Sequence, residues 1–222
     1  MQKRDTLEAT PIMQRGIKAL LAAVPSAGSI GANFRTACAA LIANAQMLIG
    51  ADLAGPPLQN CFDLGRKCGA TQGQFASVRD ETMTETPITV GGAMIQGSII
   101  EMCLAAECLI ISDMTFTSRQ DVDALKDEMN TVFAAVEEAL ADAMDQMSYR
   151  AVVELHAAVI QHLVATARPL PRLVQFAFNQ PMPTLLTAMR LYSDGSRADE
   201  LRDENKVVHP AFELPTGVAL SA

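Results

Sequence analysis

Between Ser118 and Ser148 the apolar residues recur so regularly that only one local structure is open to the segment. Val122, Leu125, Met129, Val132, Phe133, Val136, Leu140, Met144 and Met147 are separated by steps of 3, 4, 3, 1, 3, 4, 4 and 3. That spacing draws one stripe along an α-helix. Asp123, Asp127, Glu128, Glu137, Glu138, Asp142 and Asp145 fill the opposite side. Ser118 is suited to cap the start, because its hydroxyl can accept an orphan N–H, and the acids that follow oppose the helix dipole. An interruption is expected at Ser148. A second helix then carries Val152, Val153, Leu155, Val159, Ile160, Leu163 and Val164 inward, and it must stop by Arg168-Pro169 because the residue before proline avoids the α region. The two form a long antiparallel hairpin. It is too polar to stand alone, so it packs on the N-terminal helices or on another subunit.

The residues before the hairpin also read as helical. Half of the 222 residues are apolar, only 5% are aromatic, Trp is absent and Met reaches 12. A core of Ala, Leu, Val, Ile and Met favours helices, because unbranched side chains lose little freedom there. Ile12 to Val24 and Ala32 to Ile49 are periodic, with Pro25-Ser26-Ala27-Gly28 between them. Gly55-Pro56-Pro57 marks another break, and Cys61 to Gly69 could form a helical turn or two. Thr71 to Thr89 is polar and threonine-rich, so a loop is expected there. Met94 to Ser112 is apolar and helical. Gly92 to Ser98 superficially resembles a phosphate loop but lacks the lysine that must reach the phosphates. Its glycines are better read as permitting a tight turn or a close helix approach.

After Pro169-Leu170-Pro171 the texture changes. Arg172 to Phe178 alternates and carries Val and Phe, the mark of a strand. Pro183-Thr184 opens a helix to Tyr192, Ser193-Asp194-Gly195 turns the chain, and Ser196 can cap a second helix ending at Asn205. His209-Pro210 lies in a loop, Pro215-Thr216-Gly217 is a turn, and Val218 to Leu220 can pair as a strand. The expected fold is therefore mainly α: an N-terminal helical region over residues 1–116, an acidic helical hairpin over 117–169, and a small β-α-α-β module over 170–222. Leu173, Phe176, Phe178, Leu186, Leu191, Tyr192, Leu201, Val207, Phe212 and Leu220 are its expected core.

Little in the chain suggests catalysis. A triad needs nucleophile, base and orienting acid in mutual reach. Of three histidines, His156 and His162 diverge on their helix and read as surface residues, and His209 reads as a loop residue that packs or hydrogen-bonds. The spacings Cys61-x6-Cys68 and Cys103-x4-Cys108 do not suit zinc, so no metal and no cofactor are expected. The odd set Cys38, Cys61, Cys68, Cys103 and Cys108 reads as buried reduced thiols. A formal charge of −8 and a pI near 4.9 argue against a nucleic-acid footprint. The run Leu173 to Met189 holds Gln175, Asn179, Pro181 and Pro183, which no membrane span would tolerate. Asp5 and Glu8 occupy what would be the basic leader of a signal peptide.

The tail PTLLTAMRLYSDGSRADELRDENKVVHPAFELPTGVALS resembles a LysM-type module. Tyr192, Asp194, Gly195, Leu201, Asn205, His209, Pro210, Phe212, Pro215, Gly217 and Leu220 fall in that family's order. One departure is clear: Gln180-Pro181-Met182-Pro183-Thr184-Leu185 replaces the Gly-Asp-Ser/Thr-Leu that often touches glycan. From about Ser118 to Ser221 the chain is similar to the C-terminal region of Mu-like phage DNA circularisation (DNA circulation) proteins. That resemblance implies a non-enzymatic structural component of a phage tail, at the distal tube or baseplate hub, made in the host cytoplasm and carried in the virion. Its partners would be other tail or baseplate proteins in a symmetric multimer, with the LysM-like module as a protein–protein adaptor. Two alternatives follow: a protein that binds and circularises phage DNA ends through Arg190, Arg197, Arg202 and Lys206, or a peptidoglycan-binding LysM module.

Overall fold

A computed structural model describes residues 3–143, 145–209, 211 and 215–221. The described residues form nine α-helices and one two-stranded antiparallel sheet. The chain divides into two compact units, Met1–Met114 with Ala135–Val159, and Thr115–Ala134 with Ile160–Ala222.

In the first unit, α1 (Lys3–Ala23), α2 (Gly28–Gly50), α3 (Gly55–Lys67), α4 (Gln72–Met83) and α5 (Val90–Asp113) pack together. Helix α1 touches α2, α4 and α5, and α3 lies on α2 and α5. Met13, Ile17 and Leu20 of α1 share a core with Phe34, Leu41, Phe75 and Ile99. A β-carbon on Gly16 would come within 2.8 Å of the Ile99 methyl, so glycine lets α1 and α5 approach closely there. Pro56 and Pro57 stand in the first turn of α3, where a missing N–H costs nothing.

Two expectations for this region change. The stretch from Thr71 is not a loop throughout. Phe75, Val78 and Thr82 make an inward stripe, and Thr71 with Gln74 forms a capping box. Thr82 is buried, but its hydroxyl donates to the Val78 carbonyl at 2.7 Å, so the polar residue is satisfied within the helix. Only residues 84–89 remain irregular. Gly92 and Gly97 lie inside α5 and form no tight turn. A β-carbon on Gly92 would come within 2.7 Å of the Glu8 carboxylate, so the close-approach reading fits that position. That carboxylate accepts the N–H groups of Ile88 and Thr89, and the Thr89 side chain, followed by these two bonds, holds its pKa low.

Helix α6 (Arg119–Asp142) and helix α7 (Gln146–Ala167) form the expected hairpin. His156 Nδ1 and Glu137 Oε1 meet at 2.8 Å although 19 residues separate them, which requires α7 to fold back along α6. His156 is therefore half-buried and bonded rather than a surface residue, and His162 is half-buried too. Val122, Met129, Phe133, Val136 and Leu140 are buried along the stripe. The break falls earlier than Ser148, because Asp145 caps α7 by accepting the Ser148 N–H at 3.1 Å. That shift turns Met147 outward, at 86% exposure. Val164 is exposed as well, and Met144 lies outside the described residues.

In the second unit, α6 starts at Ser118, whose hydroxyl accepts the Asp121 N–H at 3.2 Å and donates to the Asp121 carboxylate at 2.7 Å. After α7 the order is β1 (Leu173–Ala177), α8 (Thr184–Tyr192), a short 3-10 turn (Gly195–Arg197), α9 (Ala198–Glu204) and β2 (Thr216–Leu220). The β-α-α-β arrangement is thus present. Strands β1 and β2 pair antiparallel, with Phe176 opposite Gly217 and Val174 opposite Ala219.

Candidate functional site

The C-terminal module is built around a very small core: Phe176 of β1, Ala188 of α8, Leu201 of α9 and Ala219 of β2. Phe178, Leu191, Tyr192 and Ala198 pack against it, partly buried. Leu220 is buried, and Leu173 and Val207 are half-buried. Leu186 corrects the expectation, being 44% exposed. The inward face of α8 runs through Thr184, Thr187 and Ala188, and Leu185, Leu186 and Met189 fall on the other side. Two thin strands and two short helices leave no room for larger residues at Thr187 and Ala188. Phe212 and Pro210 lie outside the described residues.

The turn after α8 is fastened locally. Ser193 takes a left-handed conformation at φ 58° and closes α8. The cap of the following turn is Asp194, not Ser196: its carboxylate accepts the Ser196 N–H at 2.9 Å. Those contacts with Ser196 hold the Asp194 carboxyl below its ordinary range. A β-carbon on Gly195 would sit 2.9 Å from a Leu185 methyl, so a side chain there would push into α8. The Arg197 guanidinium lies 3.7 Å from the centroid of the Tyr192 ring and donates to Glu200 at 2.6 Å. Arg190 stands over Phe178 at 5.9 Å.

Asn205 does more than end α9. Its side-chain amide donates to the Leu201 carbonyl at 2.9 Å and to the Val218 carbonyl at 2.7 Å. Its oxygen accepts the Val218 N–H at 2.8 Å. One side chain thus replaces a neighbouring strand at the outer edge of β2. Gly217 is required beside it, because a β-carbon would come within 2.8 Å of the Phe176 ring. The Pro215 carbonyl accepts the Phe178 N–H at 2.6 Å and extends the pairing past β1. His209 is exposed, and its Nδ1 accepts the Ala211 N–H at 3.3 Å.

Gln120 acts on the other strand as Asn205 does on β2. It donates to the Leu173 carbonyl at 3.0 Å and accepts the Leu173 N–H at 2.8 Å. The Arg119 N–H donates to the Pro171 carbonyl at 2.9 Å. The start of α6 and the strand 53 residues later are thereby one hydrogen-bonded piece. Sequence reasoning missed Gln120, and no local signal marks it.

Two of the module's cations, Arg197 and Arg202, are paired with acids. Besides Arg197 with Glu200, Arg202 meets Asp199 at 2.9 Å and Asp203 at 3.4 Å. No group of three or more His, Cys, Asp or Glu converges as a metal site among the described residues. No disulfide joins the five cysteines. Contact with Cys61 and burial hold the Cys38 thiol well above its usual pKa; burial raises Cys103 as well, and pushes Cys108 up to about 12. A nucleophilic thiol needs the opposite shift, which the hydrogen bond from Cys38 gives to Cys61, a fully buried thiol.

In the first unit, Glu107 is fully buried and takes two bonds, of 2.7 and 2.6 Å, from the buried Arg79 guanidinium. Burial pushes the Glu107 carboxyl up to about 7, against the pull of Arg79 and Gln72. The pair joins two packed core helices, so it belongs to the packing of α4 on α5. No protein-family model matches the chain, and no curated protein matches its sequence.

Proposed function

We propose that the chain is a non-enzymatic structural component of a bacteriophage tail, at the distal tube or baseplate hub, and that its LysM-like C-terminal module serves as a protein–protein adaptor. The observation that carries this reading is the Asn205 clamp. Asn205, Gly217, Asp194 and Tyr192, which the resemblance singles out, each hold the β-α-α-β module together. Such a module offers a rigid shape for a neighbour to grip. The Gln120 clamp supports the same reading, since it ties β1 to the acidic α6.

The alternatives are less well supported. DNA binding needs a strip of unpaired cations, yet Arg197 and Arg202 are engaged by Glu200, Asp199 and Asp203. Glycan binding would rest on a segment whose family motif is replaced by Gln180 to Leu185.

Deletion of the gene from a prophage that encodes it tests the reading. Particles should show heads with missing or defective tails, restored by the wild-type chain but not by Asn205→Ala. Normal, infectious tails in the deletion would overturn it. A salt-dependent shift of linear DNA by the purified chain would favour the DNA reading instead, and retention on peptidoglycan would favour the glycan one.

A further inference from the structure

In an antiparallel pair, alternate residues turn their N–H and C=O toward the partner strand and away from it. The bonds from Phe178 to Pro215 and from Ser221 to Arg172 fix the phase. With Phe176 opposite Gly217 and Val174 opposite Ala219, the even-numbered residues of β1 face β2. Leu173, Gln175 and Ala177 face away. Gln120 closes Leu173. The outward groups of Gln175 and Ala177 have no partner among the described residues, and both residues are exposed. An open groove crosses both strands here, lined by Gln175 to Ala177 and Thr216 to Val218. On the opposite edge of the sheet, by contrast, Asn205 covers Val218.

Natural proteins guard open strand edges with charge or proline. The strand here reads LVQFA and has neither. Val174 is 49% exposed beside the open positions.

We propose that β1 pairs antiparallel with β1 of a second copy of this chain, Gln175 opposite Ala177, about a two-fold axis at Phe176. The edge is self-complementary in this register. Each copy's two outward N–H groups meet the other's two outward carbonyls, giving four hydrogen bonds. The same register sets Val174 against Phe178 of the second copy at the closer, non-hydrogen-bonded spacing, where β-branched and aromatic residues pair well. Arg172 falls opposite Gln180, so no like charges meet. Gln120 stops the ladder from lengthening at Leu173 and thereby fixes the register. The product is a four-stranded sheet in the order β2-β1-β1-β2. So short a ladder makes a weak contact, with a dissociation constant of about 100 μM. The inference does not depend on the functional proposal.

Sedimentation of the full chain from about 10 μM to about 1 mM, a range bracketing that constant, tests it. The wild type should pass from monomer to dimer. Ala177→Pro removes an outward N–H at an edge position where proline is tolerated, and should stay monomeric with an unchanged circular dichroism spectrum. Chains carrying Gln175→Cys and chains carrying Ala177→Cys, mixed with glutathione disulfide, should form a disulfide between unlike copies through thiol–disulfide exchange, releasing glutathione. Facing Cα atoms about 5.5 Å apart are within disulfide reach. A wild type monomeric throughout, a dimer indifferent to Ala177→Pro, or failure of the mixed cysteine chains to cross-link faster than either alone would overturn the proposal. Should Ala177→Pro unfold, the cross-linking result decides.

Discussion

Asn205 is the residue on which the module most depends. Three hydrogen bonds converge on its amide, and two of them satisfy an edge that would otherwise meet water. Asn205→Ala should destabilise the module by about 2 kcal/mol, the sum of a few net hydrogen bonds with some recovery by solvent. Asn205→Asp should cost more, since it sets a carboxylate oxygen against the Leu201 and Val218 carbonyl oxygens. Urea denaturation checks both, and faster exchange of the Val218 amide proton would locate the loss. A larger effect is expected at Arg79 and Glu107. Arg79→Met strands a buried carboxylate, at about 3–5 kcal/mol, whereas the double change Arg79→Met with Glu107→Met should be close to neutral. A single substitution as mild as the double one would show that the pair is solvated. The residue pattern marked Asn205 as a helix end and Gly217 as part of a turn, and the resemblance pointed to both again. It gave no hint of Gln120, whose role arises only when two segments far apart in the chain meet.

At the scale of elements, legibility followed periodicity. The stripe from Val122 to Leu140 has a helix as its one solution, and the strand alternation after Pro171 led directly to β1. Where structure and expectation differ, small and polar residues hold the inward positions or the caps. Ala188 is completely buried while Leu186 is exposed, because the module is too thin for leucine at the inner position. Helix α4 hid behind threonines whose hydroxyls bond within the helix. Met147 was assigned to the wrong helix because Asp145, not Ser148, makes the break. Ser118→Ala tests the best-read element: its hydroxyl is buried and both gives and takes a bond, so α6 should lose about 1 kcal/mol and fray at Asp121. The Asp145 cap carries a pH signature. The Ser148 N–H holds its carboxyl below the usual value, so its contribution is complete above the ordinary aspartate range and is lost as pH falls through the lowered value. Acid titration of the Ser148 amide should show the first turn of α7 loosening there, and Asp145→Asn should flatten that response.

For the whole molecule, composition forecast a mainly helical chain, and it is one. Helix α5 is long and apolar enough to span a bilayer by length and composition. It nevertheless buries Ile95, Ile99, Cys103, Leu104 and Ile111, packs on α1, α3 and α4, and carries Glu107 inside an ion pair. Those are the features of a core helix in a bundle. On the proposed reading, neighbouring tail proteins grip the acidic face of α6 and the clamped module. Cryo-electron microscopy of intact particles from a phage encoding this chain addresses that claim most directly. Density for the β-α-α-β module, in contact with other tail proteins at the distal end of the tube, is the expected result. Particles that are infectious yet contain none of this chain, or that carry it in the head with the DNA, would contradict the account.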